Sequence, residues 1–252
     1  MKRIILSILI LIIALLPIQL FSQMNLRKDK ANALLIHLNY QAQMPFANMA
    51  SRFGFSNMVG AGFDYKLKNW TIGVSGGFLF GNKVKGDVIA AIRTSDGFII
   101  NTDGVPVDVL LYERGWKTGL EFGRLVSFKK PNPNSGLLFK LGLGYMQHKI
   151  TINSNVKQMP QLDKTYRKGY DRLTGGFYLS QFIGYMYLDP KKYINFYVGI
   201  EFHEGFTKGY RPWQFDINAP DKKSRIDGMA AIKVGWIIPA YRKEKVEQFY
   251  YN

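Results

Sequence analysis

"ALLIHLNYQAQMP", residues 33 to 45, decides the fold: Ile36, Leu38, Tyr40, Ala42 and Met44 take every second position, and His37, Asn39, Gln41 and Gln43 the positions between. Successive side chains of a strand point to opposite faces, so this stretch reads as a strand with one apolar and one polar face. The polar face holds no lysine or glutamate, the residues expected where a sheet meets bulk water. Amides and an imidazole suit a crowded, hydrogen-bonded interior instead. The apolar face is therefore assigned to the outside.

Seven further segments repeat the pattern. "NMVGAGFDYKL" (57 to 67) sets Val59, Ala61, Phe63, Tyr65 and Leu67 against Gly60, Gly62, Asp64 and Lys66, and after Lys68-Asn69 the stretch "WTIGVSGGFLFG" (70 to 81) completes a hairpin. "GWKTGLEFGRLV" (115 to 126), "LLFKLGLGYMQH" (137 to 148), "RLTGGFYLSQFIGYMYL" (172 to 188), "INFYVGIEFHEG" (194 to 205) and "MAAIKVGWIIPAY" (229 to 241) follow. Each reaches the roughly 9 to 11 residues that a tilted membrane strand needs, and an even antiparallel set closes without a free edge.

The connections alternate in length. "KN", "SFKKPNPNSG" and "DPKKY" follow the second, fourth and sixth strands; "PFANMASRFGFS", residues 82 to 114, "KITINSNVKQMPQLDKTYRKGYD" and "FTKGYRPWQFDINAPDKKSRID" follow the odd ones. Short periplasmic turns and long extracellular loops are the habit of outer-membrane barrels. The expected class is all-β: an eight-stranded antiparallel transmembrane β-barrel spanning residues 33–241. The competing reading is a soluble, lipocalin-like barrel with an apolar interior.

The ends of the chain suit export. Lys2 and Arg3 precede an apolar run from Ile4 to Leu16, with small Ser22 soon after, the layout of a signal peptide over residues 1–22. The run is short of the roughly 20 residues of a membrane-spanning helix. Residues 23–32 then read as a periplasmic segment and 242–252 as a periplasmic tail, with Phe249, Tyr250 and Tyr251 as a handle for a partner. No cysteine occurs, which is common in bacterial envelope proteins and removes disulfides as a source of stability. The net charge of +16, or 16 − 2 = +14 without Lys2 and Arg3, has no nucleic acid to meet after export. It points instead to lipid and lipopolysaccharide phosphates or to an acidic partner.

An eight-stranded barrel is filled by side chains and has no open channel. The inward positions supply Asp64, Glu121 and Glu201 with Lys66, Lys117, Lys140 and Lys233, beside His37, Asn39, Gln41 and His203. Buried charges persist only when paired, so an ionic and amide plug is expected. Trp70, Tyr65, Tyr185, Tyr187, Trp236 and Tyr241 lie near strand ends, where an aromatic girdle belongs.

Chemistry is harder to find. His37, His148 and His203 fall on inward faces of different strands, with no thiolate and no histidine pair at metal-ligand spacing. Neither metal nor cofactor is expected. A lipid A deacylase or acyltransferase would need serine, histidine and an orienting group near the outer rim. His203 beside Glu204, with Ser180 on the preceding strand, is the best local set, but no His-x-Ser element accompanies it. A non-enzymatic protein is expected.

The loops carry more design. "KGDVIAAIRT" (85 to 94) suits a short helix with Val88, Ile89 and Ile92 on one side, and "GFIINTDGVPVDVLLYERG" a hairpin turning at Thr102-Asp103-Gly104. Such apolar content either caps the barrel or docks another envelope protein. "KTYRKGYDR" and "TKGYRPWQF" interleave Tyr166, Tyr170, Tyr210 and Trp213 with Arg167, Arg172 and Arg211, a composition suited to protein interfaces or lipopolysaccharide phosphates.

At "RFGFSNMVGAGFDYKLKNW", "FLFGNKVKGDVIAAIRTSDG", "KGYDRLTGG", "INFYVGIEF" and "KVGWIIPAYRKEKVEQFYYN" the sequence resembles a group of small outer-membrane β-barrel proteins of the Bacteroidota. The resemblance runs across nearly the whole mature chain and implies an eight-stranded barrel in a Gram-negative outer membrane. It carries no catalytic residue with it. The function expected is that of an accessory or scaffold subunit of an outer-membrane assembly or secretion complex, with integral or lipoprotein partners. The alternatives are the lipid A-modifying enzyme and a stand-alone lipopolysaccharide-binding barrel.

Overall fold

The computed structural model describes residues 30–128, 131–154, 159–191 and 193–241. The expected signal peptide and the tail with Phe249, Tyr250 and Tyr251 lie outside the described residues. Eight long strands form one closed antiparallel ring: β1 (Ala33–Phe46), β2 (Ser56–Leu67), β3 (Trp70–Gly81), β6 (Val109–Ser127), β7 (Gly136–Ser154), β8 (Thr174–Leu188), β9 (Asn195–Gly209) and β10 (Ser224–Tyr241). Closure is made by β1 on β10, from Ala33 opposite Tyr241 to Phe46 opposite Gly228. Two short strands, β4 (Ile99–Ile100) and β5 (Pro106–Val107), pair in the loop between β3 and β6, and Gly104 supplies the positive φ of 76° beside their turn.

The wall is inside out. Leu38, Leu120, Leu141 and Ile232 on the outer face are 60%, 63%, 64% and 61% exposed, while the alternate positions are buried. A solvated barrel would not hold such a continuous apolar surface. Lined within by charge and amide, the wall is that of a barrel in a bilayer, and the lipocalin-like reading fails. No helix among the described residues is long and apolar enough to cross a membrane; the strands make the crossing. This is the architecture of an outer-membrane barrel.

Trp70, Phe122 and Arg124 pack at the short-turn end, the rings 5.2 Å apart and the guanidinium 5.0 Å from the Trp70 ring. Tyr187 and Phe196 meet there at 5.7 Å. Tyr241 does not join this girdle. It shares the inward parity of Ile237 and packs against the apolar cluster that closes the periplasmic end.

Four strands run further on the extracellular side than their alternation indicates. β6 begins at Val109 and β7 continues to Ser154, with pairs Val109–Ser154 through Arg114–Lys149 beyond the expected ends. Leu110 and Leu111 thus belong to the wall and not to the loop. Above the bilayer neither face meets lipid, so the apolar-polar alternation fades while the backbone ladder goes on. The stretch 85 to 94 makes only a 3-10 turn, Ala90–Ile92.

The lumen is filled in three layers. At the periplasmic end Leu35, Leu125, Leu138, Phe182, Met186 and Ile237 form an apolar plug. The ionic residues occupy the middle. At the extracellular end Met49, Phe53, Val88, Ile89, Ile99 and Val107 from the loops join Val109, Met146, Ile150 and Met229 of the wall. The long second loop therefore caps the barrel, and its buried residues are not available to another protein.

Candidate functional site

The middle layer is built by parity: every second residue of six strands points inward at nearly one height. Lys140 Nζ lies 2.7 Å from Asp64 Oδ2 and 2.5 Å from Glu121 Oε2. Ser75 Oγ donates to the other Glu121 oxygen at 2.5 Å. Lys233 Nζ donates to Glu201 Oε1 at 3.1 Å and stands 3.8 Å from Glu121 Oε1. Lys117 Nζ is 3.7 Å from Glu201 Oε2 and 3.0 Å from His203 Nε2. Three lysines thus face three carboxylates, and Coulomb attraction offsets a desolvation penalty that none of them could carry alone.

Amides continue the network. Gln41 Oε1 lies 3.3 Å from His203 Nε2, Gln41 donates to Asn39 at 3.2 Å, and Gln43 donates to Gln41 at 2.9 Å. His37 meets Tyr197 Oη at 3.2 Å and Asp64 at 3.4 Å. Lys66 stands apart from the ionic layer: at the periplasmic end it donates to the Ala31 carbonyl at 2.9 Å and to Asn134 Oδ1 at 3.0 Å.

A second polar knot lies nearer the extracellular end. Arg52 of the first loop donates to Asp227 at 2.6 Å and to Thr174 at 3.1 Å; Asp227 also accepts from Thr207 at 2.6 Å and lies 3.0 Å from His148 Nε2. Asp227 escaped the sequence reading because it falls just before "MAAIKVGW". Extending the odd-numbered inward parity of Met229, Ala231 and Lys233 back by one step would have found it. Arg52 carries no such signal, since only folding of the loop brings it into the lumen.

The arrangement fits poorly with catalysis or metal binding. Ser180 and His203 are opposite each other across β8 and β9, both facing the sealed lumen, and the His203 ring is engaged by Lys117, Gln41 and Glu201. Glu204 has the opposite parity and cannot orient that ring from within. His37, Asp64 and Glu121 bring ligand atoms within 4.8 Å of one another, a grouping the spacing did not reveal. The Lys140 ammonium already sits against both carboxylates, where a metal ion would have to be.

Outside the lumen, the loops after β7 and β9 are clamped into one platform. Asp171 accepts from Arg211 at 2.5 and 2.9 Å, and Arg172 pairs with Asp216. The Phe215 amide donates to the Gly169 carbonyl at 2.9 Å, and the Phe215 ring lies 5.2 Å from Tyr170 and 6.1 Å from Tyr166. Gly169 leaves room for that ring, since a Cβ there would overlap it. Of the loop residues singled out by composition, Tyr166, Tyr210 and Trp213 are exposed. Tyr170 is buried beneath Phe215, and Arg167, Arg172 and Arg211 are spent on internal contacts, Arg167 on the Leu162 carbonyl at 2.5 Å. Phe215 and Ile217, which the composition did not mark, complete the exposed apolar surface.

No protein-family model matches the chain, and no curated protein matches it. Among solved structures it is similar to Neisserial surface protein A, at 12% identity and a TM-score of 0.41, over 81% of this chain and 96% of that one. It is also similar to Ail, the attachment invasion locus protein of Yersinia pestis in complex with sucrose octasulfate, at 11% identity and a TM-score of 0.38, over 82% and 99% of the two chains. A third is the transport unit of the autotransporter AIDA-I from Escherichia coli, at 8% identity and 0.35, over 90% and 94%. Identities of this size carry no residue role to this chain; its reading as a transmembrane barrel stands on its own wall and lumen.

Proposed function

We propose that this protein is a non-enzymatic outer-membrane barrel that serves as an accessory or scaffold subunit of a larger envelope complex for protein assembly or secretion. Its origin among the Bacteroidota barrels belongs to the same proposal. The observation that carries it is the loop platform: two loops locked together by ion pairs and ring contacts, displaying Tyr166, Trp213, Phe215 and Ile217 at the extracellular end. Rigid loops lose less freedom on association, and exposed aromatic side chains anchor interfaces. The filled lumen supports the same reading, because it leaves the loops and the outer wall as working surfaces. Support for the absence of catalysis comes from His203, whose ring is held within the ionic layer.

Affinity purification of the full chain from detergent-solubilised outer membranes tests this. A stoichiometric envelope protein is expected with the wild type and lost with Trp213→Ala and Tyr166→Ala, both exposed side chains whose truncation leaves the barrel intact. Recovery of the wild type as a lone monomer would overturn the proposal. An altered lipid A profile in a deletion strain, restored by the intact gene and not by His203→Gln, would return the enzymatic alternative.

A further inference from the structure

At the extracellular rim of the wall, Arg114 of β6 and Lys149 of β7 stand directly opposite each other. Like charges in facing positions disfavour a strand pair unless something of opposite sign lies between them. Among the described residues neither joins a salt bridge: Arg114 donates to the carbonyls of Glu113 at 2.7 Å and Gly81 at 3.4 Å and stacks on the Tyr112 ring at 5.0 Å, while Lys149 is exposed. With Gln147, Trp116 and Phe78 they line a cavity of about 310 Å3 that opens on the outside of the barrel. Arg211 at its edge is already tied to Asp171, and His148 is turned inward to Asp227.

Height in the membrane decides what can reach this notch. Arg114 and Arg124 share the outward parity of β6 and are 124 − 114 = 10 residues apart. At about 3.3 Å per residue and a tilt of about 40°, ten residues climb roughly 25 Å, the height of the apolar band of an outer-membrane barrel. Arg124 on Trp70 marks the periplasmic edge of that band, so Arg114 and Lys149 stand at the level of the outer headgroups. Trp116, Tyr145 and Phe177, in ring contact at 5.7 and 6.0 Å, form the aromatic belt just beneath.

A second hollow adjoins the first. On the lipid-facing side Tyr145, Phe177, Phe206 and Ile226, with Lys208, Tyr210, Ser224 and Arg225 towards the extracellular end, bound a space of about 610 Å3; the Tyr145 and Tyr210 hydroxyls meet at 2.5 Å and cover Gly175, which is opposite Gln147 across β7 and β8.

We propose that the notch binds the phosphate of a lipid in the extracellular leaflet, Arg114 and Lys149 sharing the anion and Gln147 adding a hydrogen bond, with an acyl chain of the same lipid along the exposed side chains of Phe177, Phe206 and Ile226. Two cations that join no carboxylate among the described residues complement a phosphate at headgroup height, and the apolar flank of Phe177, Phe206 and Ile226 complements the chain that a lipid phosphate brings with it. The site holds whether or not the loop platform recruits a protein.

The test uses the full mature chain in phosphatidylcholine nanodiscs containing lipid A, or lipid A stripped of its phosphates, with retained lipid counted by mass spectrometry after detergent exchange. Wild type keeps lipid A and releases the dephosphorylated form. R114Q/K149Q retains about tenfold less or lower still, as expected for two lost charge-assisted contacts. K222Q/K223Q, which removes the same charge from an exposed loop, retains as wild type does. Lys149→Gln alone shifts retention the same way and serves if the double variant does not fold to a heat-modifiable barrel. Unchanged retention in R114Q/K149Q overturns the site. So does an equal loss in K222Q/K223Q, which means diffuse attraction only, or displacement of lipid A by an equal concentration of inorganic phosphate, which means a small-ion site.

Discussion

Lys140 is the side chain on which the luminal charges depend most. It holds Asp64 and Glu121 at 2.7 and 2.5 Å in a buried layer. Removing one partner of a buried ion pair strands the others, at a cost of about 3 to 5 kcal/mol. Lys140→Met is expected to lower stability by that amount in urea unfolding monitored by the heat-dependent gel shift. D64N/K140M, which removes one charge of each sign and leaves Lys117 and Lys233 facing Glu121 and Glu201, is expected to recover most of the loss, since the layer is balanced again and carries less desolvation to offset. If the double variant were the less stable of the two, the removed pair would be contributing attraction well beyond its desolvation. At this scale the sequence was informative in a particular way. Parity identified which lysines and carboxylates face in, but not that Lys66 would leave the ionic layer for the Ala31 carbonyl and Asn134. Alternation reports the side of the wall; the height at which a long side chain ends depends on register and tilt.

The strands show why glycine recurs on the inner face. Gly184 and Gly199 are opposite each other on β8 and β9, and a Cβ on Gly199 would overlap the Ile183 carbonyl oxygen and come within 2.5 Å of the Gly184 Cα and 2.8 Å of Phe182 Cζ. The neighbouring strand backbone and the Phe182 ring together leave no place for a side chain within the periplasmic apolar plug. Gly199→Val is therefore expected to cost about 1 to 3 kcal/mol by overpacking. Adding Phe182→Ala is expected to restore little of it, because the two nearest contacts are with strand backbone; a double variant clearly better than the sum of the single changes would show that the Phe182 ring, and not the backbone, excludes a side chain at Gly199. The strand cores were legible because each position is forced to choose between lipid and lumen. The extracellular extensions of β6, β7, β9 and β10 were not, since that choice lapses above the bilayer.

For the molecule as a whole, the inside-out wall separates a membrane barrel from a soluble one by the sign of a single substitution. Leu120, 63% exposed and near the middle of the band between Arg124 and Arg114, faces hydrocarbon in the bilayer. Leu120→Arg is expected to destabilise the vesicle-reconstituted barrel by about 2 to 4 kcal/mol, the depth-dependent penalty of a cation on a lipid face. On a water-facing wall the same change would fall within about 0.5 kcal/mol of zero. Refolding of both proteins into phosphatidylcholine vesicles across a urea series distinguishes the two outcomes.

By itself, the sequence determined the eight wall strands and, along their membrane-spanning cores, which residues share a face, because side chains two apart in a strand point the same way; the exposed apolar wall around a charged lumen then excluded the lipocalin-like alternative. Tertiary structure alone decided what the loops do. Val88 and Ile89 became a cap, Arg52 entered the lumen to meet Asp227, and Tyr170 went beneath Phe215 while Trp213 stayed outside. Arg114 and Lys149 likewise became neighbours only through the pairing of β6 with β7. These contacts join residues far apart in the chain, and no local period encodes which of them meet.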